Sequence, residues 1–247
     1  MFITLEGIDG CGKSTLALNL KRKLELLGFK VFLTKEPGGS NLGKDIKKII
    51  LNKNISPITE FLLFAADREV HAKIIKQHLH KGEIVISDRF ADSSIAYQGY
   101  GKGVDIDFIN EVNNKVLGDL KPDVTFIIDI PIYIMQERLG DRSLDKIERM
   151  SEQFFNKVRT GYILLSQDPR FYVIDGTYSP REVLSQTLNI LLTFDEIKKP
   201  ALQYLDKIES TDPQKLFKLL EPHSDVIINR YTSARSAFNK QSKQERK

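Results

Sequence analysis

The chain has 247 residues, 41% hydrophobic and 28% charged, with a formal net charge of +4. This excludes a disordered tail protein and leaves room for one α/β domain, or one domain with an appendage. The single cysteine, Cys11, excludes an intramolecular disulfide framework and a multi-cysteine metal site, and it fits a reducing compartment.

In chain order, Phe2–Glu6 reads as a short strand, and a glycine-rich turn follows it. Leu16, Leu20, Leu24 and Leu27 then recur at helical spacing until Gly28 supplies a stop. Val31-Phe32-Leu33 is a second strand. Ser56-Pro57 opens a long helix, with serine as N-cap and proline at the first helical position, and Gly82 ends it. Ile84-Val85-Ile86 is apolar without alternation, the mark of a strand buried on both faces. Val124–Asp129 and Phe171–Asp175 complete five strands, all separated by helical stretches. That alternation predicts a parallel sheet with right-handed crossovers. The pattern changes after about residue 194. Asp212-Pro213 is expected to start a short helix, Val226-Ile227-Ile228 a small strand, and the end from Tyr231 onward reads as disordered.

Charge is unevenly distributed. Residues 1–194 hold 26 basic and 25 acidic residues, whereas residues 195–247 hold 11 and 8. No nucleic-acid partner is therefore expected for the main domain. No apolar run approaches the length of a membrane span, and Met1–Glu6 lacks the regions of a signal peptide. The expectation is a cytoplasmic protein without a membrane partner.

Gly7-Ile8-Asp9-Gly10-Cys11-Gly12-Lys13-Ser14 matches G-x-x-x-x-G-K-[ST], the phosphate-binding P-loop, and Thr15 follows it. Glycines let the backbone curl so that several N–H groups point at a polyphosphate, and the next helix begins where its N-terminal partial charge favours the anion. Lys13 would reach the β- and γ-phosphates of ATP, and the Ser14 hydroxyl would ligate Mg²⁺. No N-K-x-D guanine-reading motif is present, since Asn114-Lys115-Val116-Leu117 lacks the acid. Phe64 and Arg68 stand four apart on the long helix and share a face, where a ring and a guanidinium can grip a base and a phosphate. Asp88-Arg89 follows the third strand, beyond whose carboxyl end ligands bind in open α/β sheets. His71, His78 and His80 lack the i, i+4 pairing of a zinc site and read as surface residues.

Phe2–Thr15, Glu36-Pro37-Gly38-Gly39, Phe64–Arg68, Asp88-Arg89-Phe90 and Ser94–Gly99 occur in the order and spacing of the thymidylate kinases. Lys121-Pro122-Asp123, Asp129 and Arg138–Tyr162 continue the match, so the chain resembles the bacterial branch of that family over roughly residues 1–193. The resemblance implies a three-layer P-loop NTPase fold with a five-stranded parallel sheet and helices on both faces. It leaves residues 194–247 as a basic C-terminal extension, partly disordered. It implies a homodimer and the reaction ATP + dTMP → ADP + dTDP, which feeds dTTP and DNA synthesis.

The same resemblance implies roles by position. Phe64 would stack on thymine, and Arg68 and Arg89 would bind the dTMP phosphate. Pro37 and Gln98 would line the base pocket, Ser94 would read the thymine edge, and Tyr97 would crowd the sugar 2′ position. Asp9 would receive the 3′-hydroxyl, and Asp88 would support Mg²⁺, directly or through water. Residues 138–150 would form the lid. The P-loop insert Ile8-Asp9-Gly10-Cys11 contains no arginine, so a lid cation is expected on the γ-phosphate, with Arg142 and Arg138 as candidates. The chain departs from the family at Lys146 and Lys35, where arginine is usual. Two other functions stay open at this stage: another P-loop kinase such as a deoxynucleoside kinase, or a catalytically idle nucleotide-binding regulator. Cys11, at a helix N-terminus beside Lys13, is expected to be open to inactivating alkylation.

Overall fold

A computed structural model describes residues 1–140 and 144–211. The five strands are β1 (Phe2–Glu6), β2 (Val31–Lys35), β3 (Ile84–Asp88), β4 (Val124–Asp129) and β5 (Phe171–Asp175). They form one parallel sheet in the order β2-β3-β1-β4-β5. The register sets Leu5 of β1 beside Asp88 of β3, so the segments leaving these two strands emerge side by side. Apolar residues alternate between the faces of the central strands. Ile3, Leu5, Ile84 and Ile86 pack into one cluster, Phe2 and Val85 into the other, which is why the strands read as unbroken apolar runs.

The larger cluster holds α1 (Lys13–Leu26) through Leu16, Leu20 and Leu24. On the opposite face, α3 (Pro57–His80) buries Ala72 and Ile75. As its sequence predicts, Ser56 Oγ accepts from Thr59 N at the start of α3, with Pro57 at the first position. Between them lies α2 (Asn41–Asn52), capped by Ser40 Oγ, which accepts from Gly43 N at 2.8 Å. A four-residue helix α4 (Ala91–Ser94) runs directly into a π-helix (Ile95–Gly101). The order continues with α5 (Ile106–Leu117), α6 (Ile132–Leu139), α7 (Glu152–Leu165) and α8 (Pro180–Leu191). A capping box between Ser179 and Glu182 opens α8.

The compact body does not stop at residue 193. Helix α9 (Asp195–Thr211) buries Ile197, Ala201 and Leu205 in the same cluster as α1 and α8, and Tyr204 lies against Gly28. The reason is its apolar spacing of four residues, which gives the helix a stripe that needs a partner. The elements expected at Asp212-Pro213 and Val226–Ile228, and the disordered end, lie outside the described residues.

Candidate active site

The P-loop leaves β1 and wraps around the Lys13 side chain. The Lys13 ammonium donates to the carbonyls of Gly7 (3.1 Å) and Ile8 (2.8 Å), so it sits at the centre of the loop. Glycine is required where this backbone comes close to β4. A side chain at Gly7, where φ is +134°, would lie 2.4 Å from the Ile128 carbonyl oxygen. Ser14 Oγ donates to Asp88 Oδ2 at 2.5 Å, which joins the two residues expected to hold Mg²⁺. A hydroxyl and a carboxylate are hard oxygen donors, and Mg²⁺ is characteristically held by one or two such groups together with phosphate oxygens and water. The donor set therefore fits the ion. Thr15 is exposed on the same first turn of α1. Cys11 places its Sγ within the loop, 3.5 Å from Lys13 Nζ, which donates to it. It is 2% exposed and packs into the main core, so an alkylating reagent cannot reach its sulfur without opening the loop.

Arg89 stands between the P-loop and the cleft. Its Nη2 donates to Asp9 Oδ1 (2.6 Å) and to the Tyr97 hydroxyl (2.9 Å), and its Nη1 to the Gly7 carbonyl (3.0 Å). Tyr97 in turn donates to Asp9 Oδ2 at 2.9 Å. Burial raises the Asp9 carboxyl, but Arg89, Lys13 and the Tyr97 hydrogen bond outweigh it and pull Asp9 from 3.8 to about 2. Asp9 is thus a carboxylate at every working pH. The Arg89 backbone has φ +73°, a left-handed conformation rare outside glycine. Sparsely populated geometries of this kind persist where neighbours over-determine them. Here Arg89 N donates to the Leu5 carbonyl, Ser87 Oγ donates to the Arg89 carbonyl, and Phe90 N donates to Glu6 Oε1.

Glu6 anchors this arrangement from beneath. Its Oε2 accepts from Ser93 Oγ (2.6 Å) and from the Tyr162 hydroxyl (2.8 Å), and both of those groups also lie within hydrogen-bond reach of Arg89 Nη1. Complete burial, then the Asp92 carboxylate, push Glu6 up from 4.5 to about 7, against the Ser93, Arg89 and Tyr162 contributions. The folded chain consequently holds a proton that the unfolded chain has lost between pH 4.5 and 7, so this group makes stability fall as pH rises through that window. The difference is worth roughly 3 kcal/mol. Relative to Glu6→Gln, which has no such titration, the parent protein is expected to lose about that much stability between about pH 4.5 and about pH 8. Urea unfolding of both proteins at the two pH values measures it, and a constant difference would be the contrary result.

Arg68 lines the same cleft as Arg89 but holds a different set of partners. Only 1% exposed, it donates to Glu36 (3.0 Å), to Asn113 (2.7 Å) and to Ser94 Oγ (2.9 Å). The two arginines that the resemblance assigns to one phosphate thus hold different partners, Arg89 those of the P-loop and Arg68 those of the wall that carries Ser94. His71 is buried and not a surface residue. Its Nδ1 faces Glu36 at 2.9 Å and its Nε2 faces Thr34 Oγ1 at 2.6 Å, because it stands one turn along α3 from Asp67 and Arg68 on the face that holds the β2–α2 loop. Asp67 completes that hold by accepting from Ser40 Oγ and Gly38 N.

A cleft of about 260 Å³ brings these groups together. Asp9, Ser14, Asp88 and Arg89 line one part, and Pro37, Phe64, Arg68, Ser94, Tyr97 and Gln98 line the rest. Lys47, Ile50 and Leu51 of α2 border it as well. From the expected lid, Asp145 and Ile147 face the cleft, and Lys146 donates to the Lys53 carbonyl at 2.8 Å. Arg138 lies in the last turn of α6 and donates to the carbonyls of Gly176 (2.8 Å) and Gly10 (3.4 Å), tying the P-loop to the segment after β5. Arg142 lies outside the described residues. Residue-type spacing misses Glu6, Glu60, Asn113 and Tyr162, because each acts through partners far away in the chain.

A parallel sheet with a phosphate loop after β1, beside an acid–arginine pair after β3, defines a P-loop nucleotide-binding protein with a second ligand site in its cleft. A family model described as thymidylate kinase matches residues 5–187. The thymidylate kinase of Halothermothrix orenii is 44% identical over 190 residues, covering 74% of this chain and 92% of that protein. Those of Thermosipho africanus (43% over 195 residues, 77% and 97%) and Mesoplasma florum (40% over 207 residues, 81% and 98%) are similarly related. The chain belongs to the thymidylate kinase family.

Proposed function

We propose that the chain is a dTMP kinase, transferring the γ-phosphoryl group of ATP to dTMP to give ADP and dTDP. The observation that carries this is the position of Arg89, between the P-loop and a cleft walled by Phe64, Arg68 and Ser94, in a chain of this family. The nucleophile is a phosphate oxygen of dTMP, already anionic at neutral pH, so no strong general base is needed. Catalysis is then alignment plus neutralisation of charge on the transferring group. Lys13 serves the ATP phosphates. Arg89, fixed by Asp9, Tyr97 and Gly7, serves the acceptor phosphate. Mg²⁺, held at Ser14 and Asp88, would supply further charge neutralisation. Arg68, bonded to Ser94, belongs to recognition of the base and not to the phosphate. Phe64 covers the base, and Asp9 and Tyr97 face the sugar. The cation on the γ-phosphate falls to the lid, with Arg142 the candidate and Arg138 tethered at its base.

Arg89 also separates this proposal from a deoxynucleoside kinase, whose acceptor has no anion to meet it. A coupled assay of ADP release with dTMP, dUMP, dCMP and thymidine tests the reading. dTMP is expected to be the preferred acceptor and thymidine to be inert. No ADP release with any monophosphate would overturn it. A homodimer is part of the same proposal, supported by exposed Ile58 and Leu62 on α3 and Ile163 and Leu164 on α7. So is a cytoplasmic location, where the substrates reside. No helix among the described residues is long and apolar enough to cross a membrane.

A further inference from the structure

The wall of the cleft that carries Tyr97 and Gln98 is a π-helix, a widened turn that recurs at functional sites. Gln98 is 2% exposed. Its amide can be used in either sense, since the oxygen accepts and the nitrogen donates. The neighbours decide which end faces the cleft. Gln98 Nε2 donates to Glu60 Oε1 at 2.8 Å, and Lys102 Nζ donates to the same oxygen at 2.5 Å. Glu60 is 1% exposed, in the first turn of α3. A carboxylate only accepts, so turning the amide over would set two oxygens against each other in a buried site. The Gln98 oxygen has no partner among the described residues. The one buried side-chain polar atom left unpaired there is Asn113 Nδ2, so the Gln98 oxygen is open to the cleft.

We propose that Glu60, backed by Lys102, is a positioning residue for base selection, holding the Gln98 amide with its oxygen toward the base. This rests on the dTMP-kinase reading. Thymine and uracil carry a hydrogen on N3, whereas cytosine presents a lone pair there. A fixed acceptor therefore takes the N3–H of thymine and meets cytosine lone pair to lone pair. Pockets built around a specific hydrogen bond discriminate far more strongly than apolar ones.

The test measures kcat/KM for dTMP and dCMP in the parent, Glu60→Gln, and the pair Glu60→Leu with Lys102→Met, each also in a Gln98→Leu background. Glu60→Gln keeps the volume and an acceptor for Lys102, but it offers Gln98 a donor as well and so permits the flipped amide. The dTMP:dCMP ratio is expected to fall about tenfold in Glu60→Gln and further in the Leu/Met pair. The loss should fall mainly on KM for dTMP, and it should vanish in the Gln98→Leu background, because Glu60 acts only through Gln98. An unchanged ratio in a folded variant overturns the proposal, as does an equal change when Gln98 is absent. If Glu60→Gln does not fold, the Leu/Met pair, which removes both charges together, decides in the same way. A parent protein inactive on dTMP would overturn the dTMP-kinase reading itself, whereas an active parent with an unaltered ratio removes only the role of Glu60.

Discussion

Replacing Arg89 by methionine is expected to lower kcat for dTMP by about two to three orders of magnitude, the usual loss when a preorganised group that aligns and neutralises the reacting phosphates is removed. The guanidinium is divided among Asp9, Tyr97 and the Gly7 carbonyl, and on the proposed function the acceptor phosphate would complete its environment. Lysine at this position should recover little, because a point charge cannot hold several partners in a plane. The loss also reaches the neighbouring acids. Without Arg89, Asp9 loses its foremost opposing charge and rises from about 2, and Glu6 moves further above about 7. Steady-state kinetics at saturating ATP separates the outcomes. A fall in kcat marks a group acting on the transferring phosphoryl, a rise in KM alone marks simple binding, and wild-type values would refute both roles.

Arg68→Met should act first on stability. The substitution leaves Glu36, Asn113 and Ser94 without their donor in a fully buried site. Breaking a buried ion pair from one side costs about 3–5 kcal/mol, because the remaining charge is left unpaired. For a body of this size that is a fall in Tm on the order of 10 °C. His71 still faces Glu36 and softens the loss. Removing the stranded charge as well, in Arg68→Met with Glu36→Gln, is expected to restore part of the stability without restoring affinity for dTMP. Thermal unfolding and KM measured on the same samples distinguish the two effects. A double variant no more stable than the single one would count against an uncompensated Glu36.

The five strands and the phosphate loop were legible in the chain because they depend on local pattern. Apolar runs without alternation mark strands covered on both faces, and glycines at fixed offsets mark the cradle. Helix α2 carries local signals too, a Ser40 cap on Gly43 N and Ile46 and Ile50 one turn apart, but neither belongs to the strand runs or to the glycine pattern. His71 looked like a surface residue because helical spacing says nothing about the loop from β2 that descends on it. Glu6 and Tyr162 are 156 positions apart and meet only through the sheet order, so no local signal connects them. The resemblance named Pro37, Phe64, Ser94, Tyr97 and Gln98 together, and all five line one cleft. It did not separate the environments of Arg68 and Arg89, which differ in the partners that each guanidinium already holds.

The docking of α9 bears on where the chain can be shortened. A cut at residue 193 would strip Ile197, Ala201 and Leu205 from the cluster that supports α1, and would uncover the turn at Gly28 that Tyr204 covers. A chain that ends after residue 211 keeps all of this helix. Up to that point basic and acidic side chains number 29 each, so all four excess positive charges lie in the last 36 residues. Trimming there would remove the whole of the formal net positive charge and shift the protein's elution on an ion exchanger.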